Sequence, residues 1–265
     1  MRYVVFNRKG GVGKSTIVCN LAAVAAEEGK RTLVVDLDAQ ANATHYLLGK
    51  PPQPEHTVTK FFEHTLGFSL LGGPRATQWV HPTPYENLHL MAADAGLTDL
   101  QAKLEAKYKI YKLRDQLDAL SEYDVVMIDT PPALGFFTVS ALIAADRCLI
   151  PFDCDEFSRR AMYQLIGTVR EVRADHNERL RVGGIVVNHF QAQANLPKQL
   201  VAELEDDGLP VLAPYLSPSV KVRESHQAHQ PLVHYLPKHK VAEQFRGLWK
   251  SVEEAAIHPP GGDEI

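Results

Sequence analysis

The segment Lys9-Gly10-Gly11-Val12-Gly13-Lys14-Ser15-Thr16 lies between an apolar run at residues 3–6 and a helical pattern at residues 17–26. This order predicts a strand, a glycine-rich turn and a helix. Glycines in such a turn let backbone N–H groups close around phosphate oxygens, and the helix N-terminus adds its dipole. We expect Lys14 to reach the β- and γ-phosphates of a nucleotide and the Ser15 hydroxyl to bind Mg²⁺.

Length and composition indicate one globular domain. The 265 residues are 45% hydrophobic and 23% charged, close to the averages of soluble proteins and enough for one substantial core. We predict a single domain over 1–257 and a disordered, proline- and glycine-containing tail over 258–265. No apolar run approaches the roughly 18 residues of a membrane span, and no export leader precedes the first strand. A cytoplasmic location is therefore expected. Cys19, Cys148 and Cys154 lack metal-ligand spacing and are predicted to be buried thiols.

Strands and helices alternate along the rest of the chain. Short apolar runs predict strands, and longer periodic segments predict helices. Near-continuously apolar strands separated by helices are typical of a mostly parallel sheet covered on both faces, so we predict a doubly wound α/β fold. Loops and short helices are expected between residues 50 and 84. The later predicted strands are 31–35, 88–91, 125–128, 148–151, 182–187 and 210–213, and the predicted helices are 97–120, 158–172, 196–205 and 241–256.

Carboxylates follow two of the predicted strands. Asp36 and Asp38 come directly after one strand, and Asp129 ends another. The carboxyl ends of strands in an open α/β sheet face the crevice that binds ligands. Asp129 fits the Walker B pattern, in which a buried strand delivers a carboxylate to the Mg²⁺ shell. A helix-capping role is the alternative for both Asp36 and Asp129.

The glycine-rich segment departs from the usual G-x-x-x-x-G-K-[ST] spacing, because Arg8 stands five positions before Gly13 and Lys9 precedes the glycines. In this form it resembles the deviant Walker A ATPases, which include ParA partition proteins, MinD and the nitrogenase iron protein. The resemblance implies a P-loop ATPase that uses ATP and Mg²⁺ and closes as a homodimer with ATP sandwiched between subunits. Lys9 then reaches the partner's nucleotide. The implied nucleotide-binding residues are Lys9, Gly10, Gly11, Val12, Gly13, Lys14, Ser15, Thr16 and, for adenine, Asn188; a plain turn asparagine is the alternative for Asn188.

Residues 36–42, D-L-D-A-Q-A-N, resemble the D-x-D-P-Q-G-N segment of the same group. By this resemblance Asp38 orients the water that attacks the γ-phosphate, while Asp36 supports the Mg²⁺ shell together with Ser15 and Asp129. The catalytic assignments are therefore Lys9, Lys14 and Asp38.

Further segments resemble ParA proteins specifically, among them D-T-P-P-A-L-G at 129–135, N-L-P-K-Q-L at 195–200 and the region 220–240. This resemblance implies that the ATP-bound dimer binds duplex DNA without sequence preference and releases it after hydrolysis, which is slow unless a ParB-like adaptor stimulates it. Gln193 stands where many partition proteins carry a second DNA-contacting arginine. A solvated charged face is the alternative for the basic residues. The DNA-binding candidates are Lys198, Lys221, Arg223, Lys238, Lys240 and Arg246.

Several related functions are alternatives to plasmid or chromosome segregation. A ParA-like protein can position a protein cargo, such as a carboxysome or a chemoreceptor cluster. A MinD-like membrane-cycling ATPase needs a C-terminal amphipathic helix, which the final P-P-G-G-D-E-I does not provide, so no membrane partner is expected. A nucleotide-dependent scaffold that scarcely hydrolyses ATP is the non-enzymatic alternative.

Overall fold

One sheet organises the chain, whose computed structural model describes residues 1–67, 75–154 and 159–257. In these ranges the sheet has eight strands in the order β3-β4-β2-β5-β1-β6-β7-β8. All neighbouring strands are parallel except β3 and β4. The strands are β1 Arg2–Val5, β2 Thr32–Asp36, β3 His81–Pro82, β4 Leu88–Met91, β5 Val125–Asp129, β6 Arg147–Asp153, β7 Arg181–Asn188 and β8 Val211–Leu212.

Helices cover both faces of this sheet. Alternate residues of β1 belong to different hydrophobic layers: Val4 packs with α3 to α8, whereas Tyr3 and Val5 pack with α1, α2, α10 and α11. The predicted doubly wound α/β fold is therefore confirmed. The helices are α1 Lys14–Glu27, α2 Asn42–Leu48, α3 Val58–Leu66, α4 Leu97–Ala106, α5 Lys112–Asp118, α6 Phe136–Ala144, α7 Arg159–Asp175, α8 Asn195–Asp206, α9 Val220–Gln227, α10 Leu232–Tyr235 and α11 Lys240–Ile257.

The predicted single helix over 97–120 is wrong, because the chain forms α4 and α5 with a break between them. Tyr108 has a φ of 51°, a left-handed conformation that a helix cannot contain. The leucine spacing nevertheless continues across the break. Leu104 and Leu113, one on each side of it, are both fully buried in the same hydrophobic layer. A continuous apolar period therefore indicated the buried face correctly and the helix length incorrectly.

Four helices were not predicted from sequence: α2, α6, α9 and α10. Helix α6 is buried along almost its whole length, so it lacks the two-sided pattern by which a surface helix is recognised. The predicted strands are all present, with bounds that differ by at most two residues. The predicted helix start at Ser158 and the tail 258–265 lie outside the described residues. The cysteines are buried and free, as predicted.

The carboxyl ends of β1, β2, β5, β6 and β7 lie at one edge of the sheet. The glycine-rich turn follows β1, Asp36 ends β2, Asp129 ends β5, and Asn188 ends β7. Asp36 and Asp129 are direct neighbours across the β2–β5 pair. None of the described helices combines the length and the apolar character needed to span a bilayer.

Candidate nucleotide site

The glycine-rich segment forms the turn between β1 and α1. Gly11 and Gly13 have φ values of 79° and 91°, in the left-handed region that favours glycine. A Cβ on Gly13 would lie 2.5 Å from Nδ2 of Asn188, and that amide donates a hydrogen bond to the Val12 carbonyl at 3.0 Å. The Asn188 side chain therefore packs against the turn and holds it through this hydrogen bond. Its closeness leaves room only for glycine at position 13. Whether it also contacts adenine stays a prediction.

The two lysines of the turn are held differently. Lys14 is only 7% exposed, and its Nζ donates a hydrogen bond to the Lys9 carbonyl at 3.1 Å. Burial lowers the pKa of Lys14, while Asp129 and Asp38 oppose that shift. The Lys9 backbone N–H donates to Asn7 Oδ1 at 2.9 Å, and Asn7 Nδ2 in turn donates to the Pro151 carbonyl at 2.7 Å. The backbone that carries Lys9 is thus anchored to the end of β6.

Asp129 is the least satisfied carboxylate in the described part of the chain. It is fully buried, and neither carboxylate oxygen accepts a hydrogen bond of ordinary geometry from the described residues. Burial raises the pKa of Asp129 well above its usual value and Asp36 raises it further, whereas the nearby Ser15 and Lys14 side chains oppose the rise. A buried carboxylate without donors is costly unless a cation or donor completes it. The pair Asp129 and Ser15 supplies the oxygen ligands that Mg²⁺ prefers.

Asp36 is also fully buried, but its carboxylate is fully engaged. It accepts hydrogen bonds from the Thr44 N–H and hydroxyl, both at 2.8 Å, and from the Asp38 N–H at 3.1 Å. Burial raises the pKa of Asp36 to about 6, although these donors lower it. Thr44 lies in the first turn of α2, so the capping alternative describes these contacts. The support of a Mg²⁺ shell by Asp36 stays a prediction, and Thr44 is a site-building residue that sequence reasoning missed.

Two adjoining cavities lie beside the turn. The first, which we call the phosphate cavity, has a volume of 370 Å³ and is lined by Gly10 to Thr16 except Val12, with Asp38, Gln40, Asn42, Pro132 and His226. The second, which we call the base cavity, has a volume of 400 Å³ and is lined by Asn188, His189, residues 216–220, Val222, Arg223 and the side of α11. The two cavities share the lining residues Gly11, Gly13, Thr16 and His226. A larger cavity of 560 Å³ lies at the amino ends of β1 and β6, far from these groups.

His226 of α9 was not singled out by any motif. Its Nε2 is hydrogen-bonded to the Thr16 hydroxyl at 2.9 Å, and its ring stacks on Tyr46 with centroids 3.9 Å apart and planes 13° apart. Burial lowers the pKa of His226, so the imidazole is neutral near pH 7. These three residues come from α1, α2 and α9, and no local sequence pattern connects them.

The predicted DNA-binding residues are not equivalent. Lys198, Lys221, Lys238 and Lys240 are exposed, although Lys221 forms an ion pair with Glu224 at 2.7 Å on the same helix. Arg223 lines the base cavity. Arg246 is bound by Glu27 at 3.2 Å and Glu243 at 3.1 Å, and it also donates to two backbone carbonyls. The structure thus gives Arg246 a role in holding α1 and α11 together, and its contact with DNA stays a prediction.

The chain is similar in sequence to one protein-family model and to several known proteins. A protein-family model described as an AAA domain matches residues 2–182. Over 251 residues the chain is 33% identical to the chromosome partitioning protein ParA of Myxococcus xanthus, covering 94% of this chain and 86% of the relative. It is 31% identical over 251 residues to the sporulation initiation inhibitor protein Soj of Bacillus subtilis, covering 94% and 96%.

Solved structures share the fold over nearly the whole chain. Cobyrinic acid a,c-diamide synthase from Mycobacterium smegmatis, with bound ADP and magnesium, superposes with a TM-score of 0.81 at 26% identity and covers 97% of this chain and 95% of that one. Apo McdA from Cyanothece also gives a TM-score of 0.81, at 20% identity, with 96% and 98% covered. At that identity the second match supports the fold alone.

Proposed function

The chain belongs to the ParA-type partition ATPases, and on that basis we propose that it hydrolyses ATP with Mg²⁺, dimerises around ATP and binds DNA without sequence preference. The observation that carries the proposal is the fully buried Asp129, whose two carboxylate oxygens accept no hydrogen bond of ordinary geometry from the described residues and which lies near Lys14 and Ser15. These groups are what a nucleotide-bound Mg²⁺ requires.

The residues of the turn account for nucleotide binding. Backbone N–H groups at the start of α1 and the buried ammonium of Lys14 offset the charge of the β- and γ-phosphates. Ser15 and Asp129 are the residues that would hold Mg²⁺, which when bound neutralises charge on the transferred phosphoryl group. Gly13 permits the left-handed backbone of the turn, and Asn188 stabilises the turn through its hydrogen bond to the Val12 carbonyl.

Hydrolysis needs a water lined up with the γ-phosphate and further positive charge on the opposite side. We assign the first task to Asp38, which lines the phosphate cavity and whose Oδ1 accepts the Gln40 N–H at 3.0 Å. The second task falls to Lys9 of a second copy in the ATP-bound dimer. A monomer then binds ATP but turns it over poorly, so assembly and hydrolysis are linked.

DNA binding is assigned to the exposed lysines Lys198, Lys221, Lys238 and Lys240. The whole chain carries a formal charge of −4, so attraction to DNA must come from a local basic surface and be strongly salt-dependent. Hydrolysis, stimulated by a ParB-like adaptor, returns the protein to the monomer and releases the DNA. In this scheme the protein is cytoplasmic and associates with the nucleoid when ATP is bound.

The direct test of the site is phosphate release from ATP by the full chain with Mg²⁺ or with EDTA. We expect slow hydrolysis that is abolished by EDTA and by Asp129→Asn, since an amide cannot neutralise Mg²⁺. Asp118→Asn is the control, because Asp118 lies on the surface in an ion pair with Arg2 at 2.7 Å. Full activity of the Asp129→Asn variant would contradict the assignment.

A further inference from the structure

The phosphate cavity and the base cavity meet at a small set of residues. Gly11, Gly13, Thr16 and His226 line both. A nucleotide that fills both cavities must pass this junction with the group that joins its two ends. That group is the α-phosphate with its ester bond to ribose. Gly11 and Gly13 have no side chains, so Thr16 and His226 are the side chains available to it.

The imidazole of His226 is held firmly at this junction. The stack on Tyr46 fixes the plane of the ring, and the 2.9 Å contact of Nε2 with the Thr16 hydroxyl fixes its direction. Thr16 lies in the first turn of α1. The N–H groups of a first helical turn point beyond the N-terminal end of the helix, where they and the helix dipole favour an anion. His226 therefore adds a neutral side chain with one N–H to a place that is already suited to a phosphate oxygen.

A buried polar network keeps the histidine there. The Tyr46 hydroxyl is hydrogen-bonded to Ser225 Oγ at 2.7 Å and accepts the Leu232 N–H at 3.1 Å. Asn20 donates to the Thr16 carbonyl at 2.9 Å and accepts the Val233 N–H at 3.3 Å. Tyr46, Asn20 and Ser225 are all buried. These bonds join the start of α1 to α9 and α10, so His226 cannot leave the junction without breaking contacts around it.

We propose that His226 is a further nucleotide-binding residue, and that its imidazole N–H donates a hydrogen bond to the α-phosphate of a nucleotide spanning both cavities. The proposal rests on nucleotide binding at the glycine-rich turn. The Thr16 hydroxyl can rotate away from Nε2 without moving the backbone, which frees that nitrogen for the phosphate. Because His226 belongs to α9, the hydrogen bond to the α-phosphate also places the helix that carries Lys221 and Arg223 beside the bound nucleotide.

The experiment is calorimetric titration of the full chain with ADP and Mg²⁺, together with ³¹P NMR of the bound nucleotide. A hydrogen bond to a charged group corresponds to about tenfold in affinity, so we expect His226→Ala to bind ADP about tenfold more weakly. His226→Gln, which keeps an N–H donor near the Nε2 position, recovers part of the loss. The α-phosphorus resonance moves in His226→Ala, while the β-phosphorus resonance stays in place.

His229→Ala is the matched control. His229 follows α9, is exposed, and contacts the His45 carbonyl at 3.0 Å, but it lines neither cavity; its removal leaves ADP affinity unchanged. Equal ADP affinity of wild type and His226→Ala would overturn this inference and leave the proposed function intact. A β-phosphorus shift as large as the α-phosphorus shift would also overturn it, since a general distortion of the turn would then explain the loss. Failure of the wild type to bind ADP would overturn both.

Discussion

Replacing Gly13 by alanine tests the architecture of the turn most sharply. Two independent effects act at this position: the φ of 91° disfavours any side chain, and the new Cβ would meet Nδ2 of Asn188 at 2.5 Å. Gly29 offers a matched control just beyond the C-terminal end of α1, as Gly13 lies just before its N-terminal end. Its φ is 82°, yet a Cβ there would meet nothing within 4 Å. The two substitutions therefore share the backbone effect and differ in the collision.

The magnitudes follow from these contacts. A left-handed conformation costs an L-residue about 1–2 kcal/mol, which is the whole expected effect of Gly29→Ala on the free energy of unfolding. In Gly13→Ala the Asn188 amide must also move and give up its bond to the Val12 carbonyl, and a buried donor left without a partner costs about 1–3 kcal/mol. We expect Gly13→Ala to lose about 2–5 kcal/mol.

Urea unfolding of both variants measures these losses, and ADP titration measures their effect on the site. Gly29→Ala keeps its ADP affinity, whereas Gly13→Ala loses most of it because the turn no longer closes. In the double variant Gly13→Ala with Asn188→Ala, the second substitution costs less than it does alone, because the collision is gone. Equal losses for Gly13→Ala and Gly29→Ala, or additive losses in the double variant, would refute the reasoning.

Three further predictions concern charge. Lys9→Ala retains ATP affinity by calorimetry but loses adaptor-stimulated hydrolysis; normal stimulated turnover would exclude a role for Lys9 in the partner's site. Burial raises the pKa of Asp36 to about 6. The Asp36 carboxyl group therefore binds a proton more tightly in the nucleotide-free folded state than in the unfolded state. Stability from this group therefore falls as pH rises from about 4 to about 6, by up to about 3 kcal/mol. Urea unfolding across that range should show a shallower fall for Asp36→Asn, and an unchanged fall would contradict the assignment. Lys221→Ala should reduce the slope of log DNA affinity against log salt concentration by about 0.9. Lys60→Ala, which breaks a similar ion pair with Glu63 at 2.8 Å, should leave that slope unchanged. Equal slopes for the wild type and both variants would show that Lys221 does not contact DNA.

The parts of the site that sequence predicted are those built from consecutive residues. The glycine-rich turn follows β1 and opens α1 as its order required, and Asp129 ends a buried strand. Each depends on a run of a few residues whose spacing determines its geometry. The apolar runs of the strands were recognisable for the same reason, because both faces of the sheet are covered by helices.

The parts that sequence did not predict depend on contacts between distant segments. Thr16 and His226 are separated by 210 positions, and the bond from Thr44 to Asp36 joins a helix that no pattern had indicated. The break at Tyr108 shows the converse, since a regular leucine period continued through a residue whose backbone leaves the helix. Periodicity reports which face is buried, whereas side-chain pairing across elements follows only from the folded chain.

The central claim is that the glycine-rich turn binds ATP and that two copies then close around it. Sedimentation velocity of the Asp38→Ala variant, with and without ATP and Mg²⁺, tests this claim most directly because hydrolysis cannot reverse the assembly. We predict a species of 29.4 kDa without nucleotide and one of twice that mass with ATP. A monomer under both conditions, at ATP concentrations shown by calorimetry to saturate the protein, would contradict it.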